Sequence, residues 1–190
     1  MIPEWMVGAP RPFDSVLVAN RGEIAVRVLK AARESGLRGI AVYSDSDAGS
    51  LHVETADEAV HLPGDTLAQT YLNADAIIEA ARSSGAQAIH PGFGFLSERA
   101  DFAQAVQSAG LLWIGPPSGA IETMGDKISA RRCMIDSVVP VIPGEEIAID
   151  ENPDHLGVLA AAAARVGYPL LIKASAGGGG KGMRAVHEPK

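Results

Sequence analysis

The 190-residue chain sets 16 Lys and Arg against 23 Asp and Glu, a net charge of −7, and 47% of its residues are apolar. That balance argues against a nucleic-acid or anionic-membrane surface, and the apolar share belongs to a chain with a proper core, not a disordered one. One cysteine, Cys133, excludes an intrachain disulfide and points to a reducing, cytoplasmic setting, while no apolar run approaches the ~18 residues of a membrane helix and the first dozen residues lack the h-region of a signal peptide.

The first predicted element is SVLVAN (15–20), a continuous apolar run as expected of a strand covered on both faces. An amphipathic helix follows, with Ile24, Val28, Ala31 and Ala32 on one face. A helix marked by Ile77, Ile78 and Ala81 comes next, then one marked by Phe102, Val106 and Ala109. Four helices end in a small or β-branched residue and a glycine before an apolar strand: Ser35-Gly36, Ser84-Gly85, Ala109-Gly110 and Val166-Gly167. A glycine just past a helix end accepts the left-handed conformation that closes the last turn, so each pair predicts a helix-to-strand junction. Strand and helix alternating at this spacing imply βαβ units, a parallel sheet and right-handed crossovers. The predicted class is α/β, with a Rossmann-like first domain.

The character changes near residue 115. A short helix is expected from Pro116-Pro117-Ser118 and another over 126–136. The prolines of VPVIPGEE break the pattern, and an alanine-rich helix over 154–166 follows, with Asn152 as cap and Pro153 at its first position. A strand over 168–174, the loop AGGGGKG and a second strand, MRAV, complete a flap-like hairpin. The division expected is 13–126 for the first domain and 127–190 for the start of a second.

The densest chemical signal is the loop Gly177, Gly178, Gly179, Gly180, Lys181 and Gly182. Glycine runs let backbone N–H groups approach phosphate oxygens without side-chain obstruction. A Walker loop would need Ser or Thr after its lysine, where Gly182 stands, and Ser175 occupies the place of its first glycine. The run formally satisfies G-x-G-x-x-G, but neither a helix nor a downstream ribose acid follows it, which disfavours a dinucleotide site. Its bland reading is a surface turn, although five glycines in six positions exceed what a turn requires. Lys173 ends the apolar run Leu170-Leu171-Ile172, where an ammonium is costly unless it meets an anion such as a nucleotide phosphate. The alternative is a solvated lysine on an edge strand. Lys127, in MGDKISARR, would by itself be a solvated charge at a helix start.

At the first βα junction stand Asn20, Arg21, Gly22 and Glu23, where a doubly wound sheet binds ligands. Asp45 and Asp47 follow the second strand at about the place of a ribose-binding acid. A single glycine at the turn leaves the dinucleotide fingerprint incomplete. The loop HPGFGFLSER (90–99) sets glycines beside Phe93 and Phe95 at a strand end; the alternative there is a loop packed beneath the sheet. The five histidines (52, 61, 90, 155 and 187) show no metal-ligand spacing, Cys133 reads as packing, and no metal site is expected.

Taken in order, VLVANRGEIAVRV, AVYSDSD, TYLNADAII, AIHPGFGFLSE, WIGPP, MGDK, IPGEE, GYPLLIKAS and GGGGKGMR resemble the N-terminal part of a biotin carboxylase, the ATP-grasp component of biotin-dependent acyl-CoA carboxylases. The resemblance runs from Phe13 to Lys190. It implies a Rossmann-like pre-ATP-grasp domain, then an incomplete ATP-grasp lid. It implies that Lys127 and Lys173 contact ATP phosphates, that Gly177, Gly178, Gly179, Gly180 and Gly182 fold over them, that Met183 lies near the adenine, and that Phe93 belongs to a loop near the biotin pocket. The implied reaction uses MgATP and bicarbonate to form carboxyphosphate and carboxylates N1′ of biotin on a carrier domain. A carboxyltransferase subunit then takes the product, and family members often pair as homodimers. The magnesium ligands, the bicarbonate site and the catalytic base are expected downstream of residue 190, so no catalytic residue is expected within this chain and the segment alone is expected to be inactive.

Three departures accompany the resemblance. Phe93 and Arg99 stand where the family usually has Tyr and Asn, and SVVPV (Ser137 to Val141) replaces a usual Ala-Gly-Val-Pro. Carbamoyl-phosphate synthetase is the nearest relative among ATP-grasp enzymes, but HPGFGFLSE with MGDK fits the biotin branch better. Two other classes remain: a non-catalytic module docked on a partner, and a Rossmann oxidoreductase binding NAD through residues 20–23 and Asp45.

Overall fold

The computed structural model describes residues 12–147, 155–173 and 182–189. Its contacts divide the chain after Glu122 into two compact units.

In the first unit, β1 (Ser15–Val18), β2 (Arg38–Tyr43), β3 (Glu58–His61), β4 (Ala88–His90) and β5 (Leu112–Trp113) form one parallel sheet in the order β3-β2-β1-β4-β5. The helices are α1 (Gly22–Glu34), α2 (Leu51–Thr55), α3 (Ala74–Ser83) and α4 (Ala100–Ser108), with a short 3₁₀ turn over Asp45–Asp47. All four residues of β1 are buried, and they alternate between two covered faces. Leu17, with Ile40, Val42 and Ile89, packs against Ile77 of α3 and against Phe102 and Val106 of α4. Val18 and Ala41 pack against Ala25 and Leu29 of α1. A strand covered on both faces needs apolar residues at every position, which explains the unbroken run of the sequence.

The four predicted junctions are present. Gly36, Gly85, Gly110 and Gly167 all take positive φ, between 65° and 88°, directly after a helix end. The buried face of α1 is Ile24, Ala25, Leu29 and Ala32, so Ala31 is exposed and Val28 half-buried, contrary to expectation. The contact of Ala25 and Leu29 with Val18 and Ala41 turns the helix by part of a step. The elements α2 and β3 lie outside the sequence expectations. β3 is a half-buried edge strand of four residues, EAVH, too short for its pattern to stand out.

The second unit holds α6 (Lys127–Asp136), α7 (His155–Val166), β6 (Leu170–Lys173) and β7 (Met183–Val186); α5 (Ser118–Gly125) spans the division between the units. Asp126 caps α6 by accepting the Ser129 N–H at 2.7 Å, which holds its carboxyl below the usual range. The caps expected for α7, Asn152 and Pro153, lie outside the described residues. β6 and β7 form an antiparallel ribbon. β6 is mostly exposed, because a two-stranded ribbon offers it a single neighbouring strand.

The end of α6 carries local strain. Val138 N–H bonds the carbonyl of Ile135 and Val139 N–H that of Met134, the two bonds of a Schellman closure, and Val138 holds φ at 59°. A β-branched residue there costs about 1–2 kcal/mol relative to the right-handed region, and Val138 is 88% exposed, so no packing offsets it. Val138→Gly is therefore expected to raise stability by about 1 kcal/mol despite the extra unfolded-state freedom of glycine, read as a higher urea midpoint; an unchanged or lower midpoint would refute the strain.

Candidate functional site

The strand order reverses between β1 and β4, and the loops leaving these strands meet at their carboxyl ends, the usual ligand crevice of an open α/β sheet. Asn20, directly after β1, is buried. Its Nδ2 donates to the carbonyls of Pro91 at 2.8 Å and Phe93 at 2.9 Å, and its Oδ1 accepts the Arg21 N–H at 2.9 Å. Ala19 N–H bonds the His90 carbonyl at 2.9 Å. These bonds join the first βα turn to the 91–99 loop. Gly92 takes φ of 68°, and a Cβ on it would sit 2.8 Å from Asn20 Nδ2. Only glycine permits that approach. His90 Nδ1 accepts the Gly92 N–H at 3.0 Å, and burial, then the charge of Arg27, pushes the imidazole below its ordinary value, favouring the neutral acceptor form.

Phe93 stands 63% exposed at the tip of this loop. Behind it, Phe95 stacks on the buried ring of Tyr71 at 5.3 Å with the planes 7° apart. Tyr71 leads to a polar cluster that the sequence reading missed. Its hydroxyl donates to Asp47 Oδ2 at 2.6 Å and accepts the Ser44 N–H at 3.2 Å. Asp47 is itself buried and takes Arg21 Nη2 at 3.1 Å and the Ser44 hydroxyl at 3.2 Å. Arg21 lies 5.7 Å from the centre of the Tyr71 ring. Burial, followed by the bond to Asp47, pushes the Tyr71 phenol up to about 12. Asp47 is thus engaged inside the fold and is not placed to receive a ribose, and Asp45 pairs with His61 at 2.6 Å. Both observations count against the oxidoreductase alternative.

In the second unit, Lys127 occupies the first position of α6 and Lys173 the last position of β6. Both line one cavity of about 970 Å³, with Arg131, Leu159, Ile172 and Ala185 among its walls. Lys173 faces Met183 across the β6-β7 ribbon, and the glycine loop joins these two positions. Gly182 is described, with φ of 74°; Gly177, Gly178, Gly179 and Gly180 lie outside the described residues. Arg131, which sequence reasoning did not single out, also lines the cavity, with its guanidinium donating to the carbonyls of Ile142 at 2.6 Å and Gly144 at 3.2 Å. Its signal was its place four residues after Lys127, one helical turn away.

Among the described residues no set of three or more His, Cys, Asp or Glu gathers to hold a metal ion, and no helix is long and apolar enough to cross a membrane.

Residues 12–121 match the family model "Biotin carboxylase, N-terminal domain", and residues 126–190 match "Carbamoyl-phosphate synthase L chain, ATP binding domain". The chain is 52% identical over 177 residues to the mitochondrial methylcrotonoyl-CoA carboxylase subunit alpha of Oryza sativa, covering 93% of this chain and 24% of that one. It is 49% identical over 175 residues to the biotin carboxylase of Allochromatium vinosum, covering 92% and 38%. Among solved structures, a biotin carboxylase from Campylobacter jejuni in a β,γ-ATP complex superposes with a TM-score of 0.83 at 40% identity, over 93% of this chain and 39% of the other. The biotin carboxylase domain dimer of the Hydrogenobacter thermophilus 2-oxoglutarate carboxylase, in complex with MgADP, ADP and bicarbonate, superposes with a TM-score of 0.82 at 43% identity, over 94% and 38%. The chain spans about a quarter of the acyl-CoA carboxylase subunits it matches. With its parallel five-stranded sheet and the model match over most of the first unit, the chain belongs to the biotin carboxylase N-terminal domain family.

Proposed function

We propose that these residues form the N-terminal domain and the first part of the nucleotide site of a biotin carboxylase, the component of an acyl-CoA carboxylase that uses ATP and bicarbonate to carboxylate carrier-bound biotin. The observation that carries this reading is the pair Lys127 and Lys173, brought from a helix start and a strand end to one cavity beside the root of a glycine loop. Phosphoryl transfer asks the protein mainly for positioning and charge neutralisation. The two ammonium groups would supply that charge, and the amides of Gly177, Gly178, Gly179, Gly180 and Gly182 would close over the phosphates and exclude water. Met183, paired with Lys173, would lie toward the base. Magnesium accompanies ATP as a charge-neutralising ion in such transfers.

Phe93, exposed on a loop held from below, is the candidate platform for the biotin ring system. The partners of this reading are a biotin carrier domain and a carboxyltransferase subunit, with a second copy of the carboxylase as in the dimeric Hydrogenobacter domain. The test is ADP release by the full-length carboxylase with bicarbonate and free biotin. Hydrolysis that rises at least tenfold when both are present supports the reading. Absence of any nucleotide binding, or hydrolysis indifferent to bicarbonate, overturns it.

A further inference from the structure

Between Pro91 and Leu96 the backbone enters the left-handed region three times, at Gly92 (φ 68°), Gly94 (φ 67°) and Phe95 (φ 46°). Such a path is unfavourable for a free chain, above all at the non-glycine Phe95, and persists only where surrounding contacts over-determine it. The contacts are asymmetric. Besides the loop's own Ser97 N–H to Gly94 carbonyl bond, the holds come from neighbouring elements: the Asn20 amide to two loop carbonyls, His90 Nδ1 to the Gly92 N–H, and Tyr71 stacked on Phe95. The residue presented on top, Phe93, is left 63% exposed, although its own carbonyl is one of the two that Asn20 holds. A loop fixed this firmly does not thereby bury its largest free apolar ring. The hold fixes where that ring stands in solvent.

Asn20 is the centre of the hold. It is 3% exposed, and its orientation is determined by its partners, because only Nδ2 can donate to two carbonyls while Oδ1 accepts the Arg21 N–H. No other residue at this position supplies two donors and one acceptor in the same volume; aspartate has the shape and no donor. We infer that Asn20 is a positioning residue for the Phe93 platform, setting the ring so that an uncharged bicyclic ring system can pack against its face. This inference rests on the biotin carboxylase reading for the identity of that ligand, and on the geometry alone for the hold.

The experiment uses the full-length carboxylase with free biotin as the probe and compares Asn20→Asp, Phe93→Leu and the double variant. In Asn20→Asp two carbonyls face a carboxylate, and the segment 91–99 is expected to lose amide-exchange protection. The KM for biotin is expected to rise roughly fivefold or more while the KM for ATP stays within about twofold, since misplacing a binding group weakens only the ligand it meets. The double variant is expected to be no worse than Phe93→Leu, because Asn20 acts through that ring. Unchanged exchange in 91–99, or equal rises in both KM values, overturns the inference. If Phe93→Leu raises the biotin KM and Asn20→Asp does not, the inference alone fails. If Phe93→Leu has no effect on biotin, the biotin reading of the loop fails and the inference with it. Should Asn20→Asp not accumulate folded, Gly92→Ala attacks the same contact from the loop side and is read by the same measurements.

Discussion

Asp47→Ala is expected to destabilise the first unit by about 3 kcal/mol, the cost of leaving the buried Tyr71 and Ser44 hydroxyls without their acceptor and a half-exposed Arg21 without its partner. The carboxylate receives the Tyr71 hydroxyl at 2.6 Å, Arg21 at 3.1 Å and the Ser44 hydroxyl at 3.2 Å, in surroundings where Tyr71 is wholly buried. Truncation removes the acceptor for a phenol that water cannot reach and one anchor of a guanidinium packed near its ring. For a unit of this size the loss should lower the thermal midpoint by roughly 10 °C. Asp47→Asn keeps the shape and one acceptor and should cost about half as much. A fall below about 2 °C for the alanine variant would show that the cluster contributes little. The network also carries an alkaline signature. Tyr71 ionises near 12 in the folded chain and near 10 when unfolded, so the unfolded state releases its proton first. The stability is intact below pH 10, declines between 10 and 12, and should decline less steeply in Tyr71→Phe.

Lys173→Gln in the full-length carboxylase is expected to raise the KM for ATP between about tenfold and a hundredfold, the equivalent of one charge-assisted contact of roughly 1.5–3 kcal/mol. The substitution shortens the side chain by one atom and removes its charge. Lys173 lies on the exposed ribbon, so the thermal midpoint should hardly move, and the KM for biotin should stay within about twofold. Lys127→Gln should act in the same direction from the α6 side of the cavity. Lys173→Arg should recover part of the loss, because a guanidinium retains the charge and changes its shape. An ATP KM within twofold of the parent protein for Lys173→Gln would remove this residue from the phosphate site.

Much of the first unit is readable one segment at a time. The run Ser15–Val18 announces a doubly covered strand because both of its faces are apolar. Gly36, Gly85, Gly110 and Gly167 announce helix closures because the left-handed turn is a property of one residue. Lys127, Lys173 and the glycine loop stand out as candidates from motif and composition, and the fold of the second unit brings the two lysines to one cavity. Other features needed the assembled sheet. Asp45 and Asp47 look equivalent in sequence, yet only Asp47 meets Tyr71, 24 residues on, and becomes interior. The buried face of α1 was set by Val18 and Ala41, which moved Ala31 to the surface. β3 became a strand because β2 offered it an edge to pair with. Asn20 reads as a turn residue until β1 and β4 lie side by side and bring the carbonyls of Pro91 and Phe93, 71 and 73 positions away, within reach of one amide. Local conformation follows from neighbours a few residues apart and is therefore written in the chain. Which polar groups become buried partners is settled by strand order, which joins distant segments and leaves no trace in any single one of them.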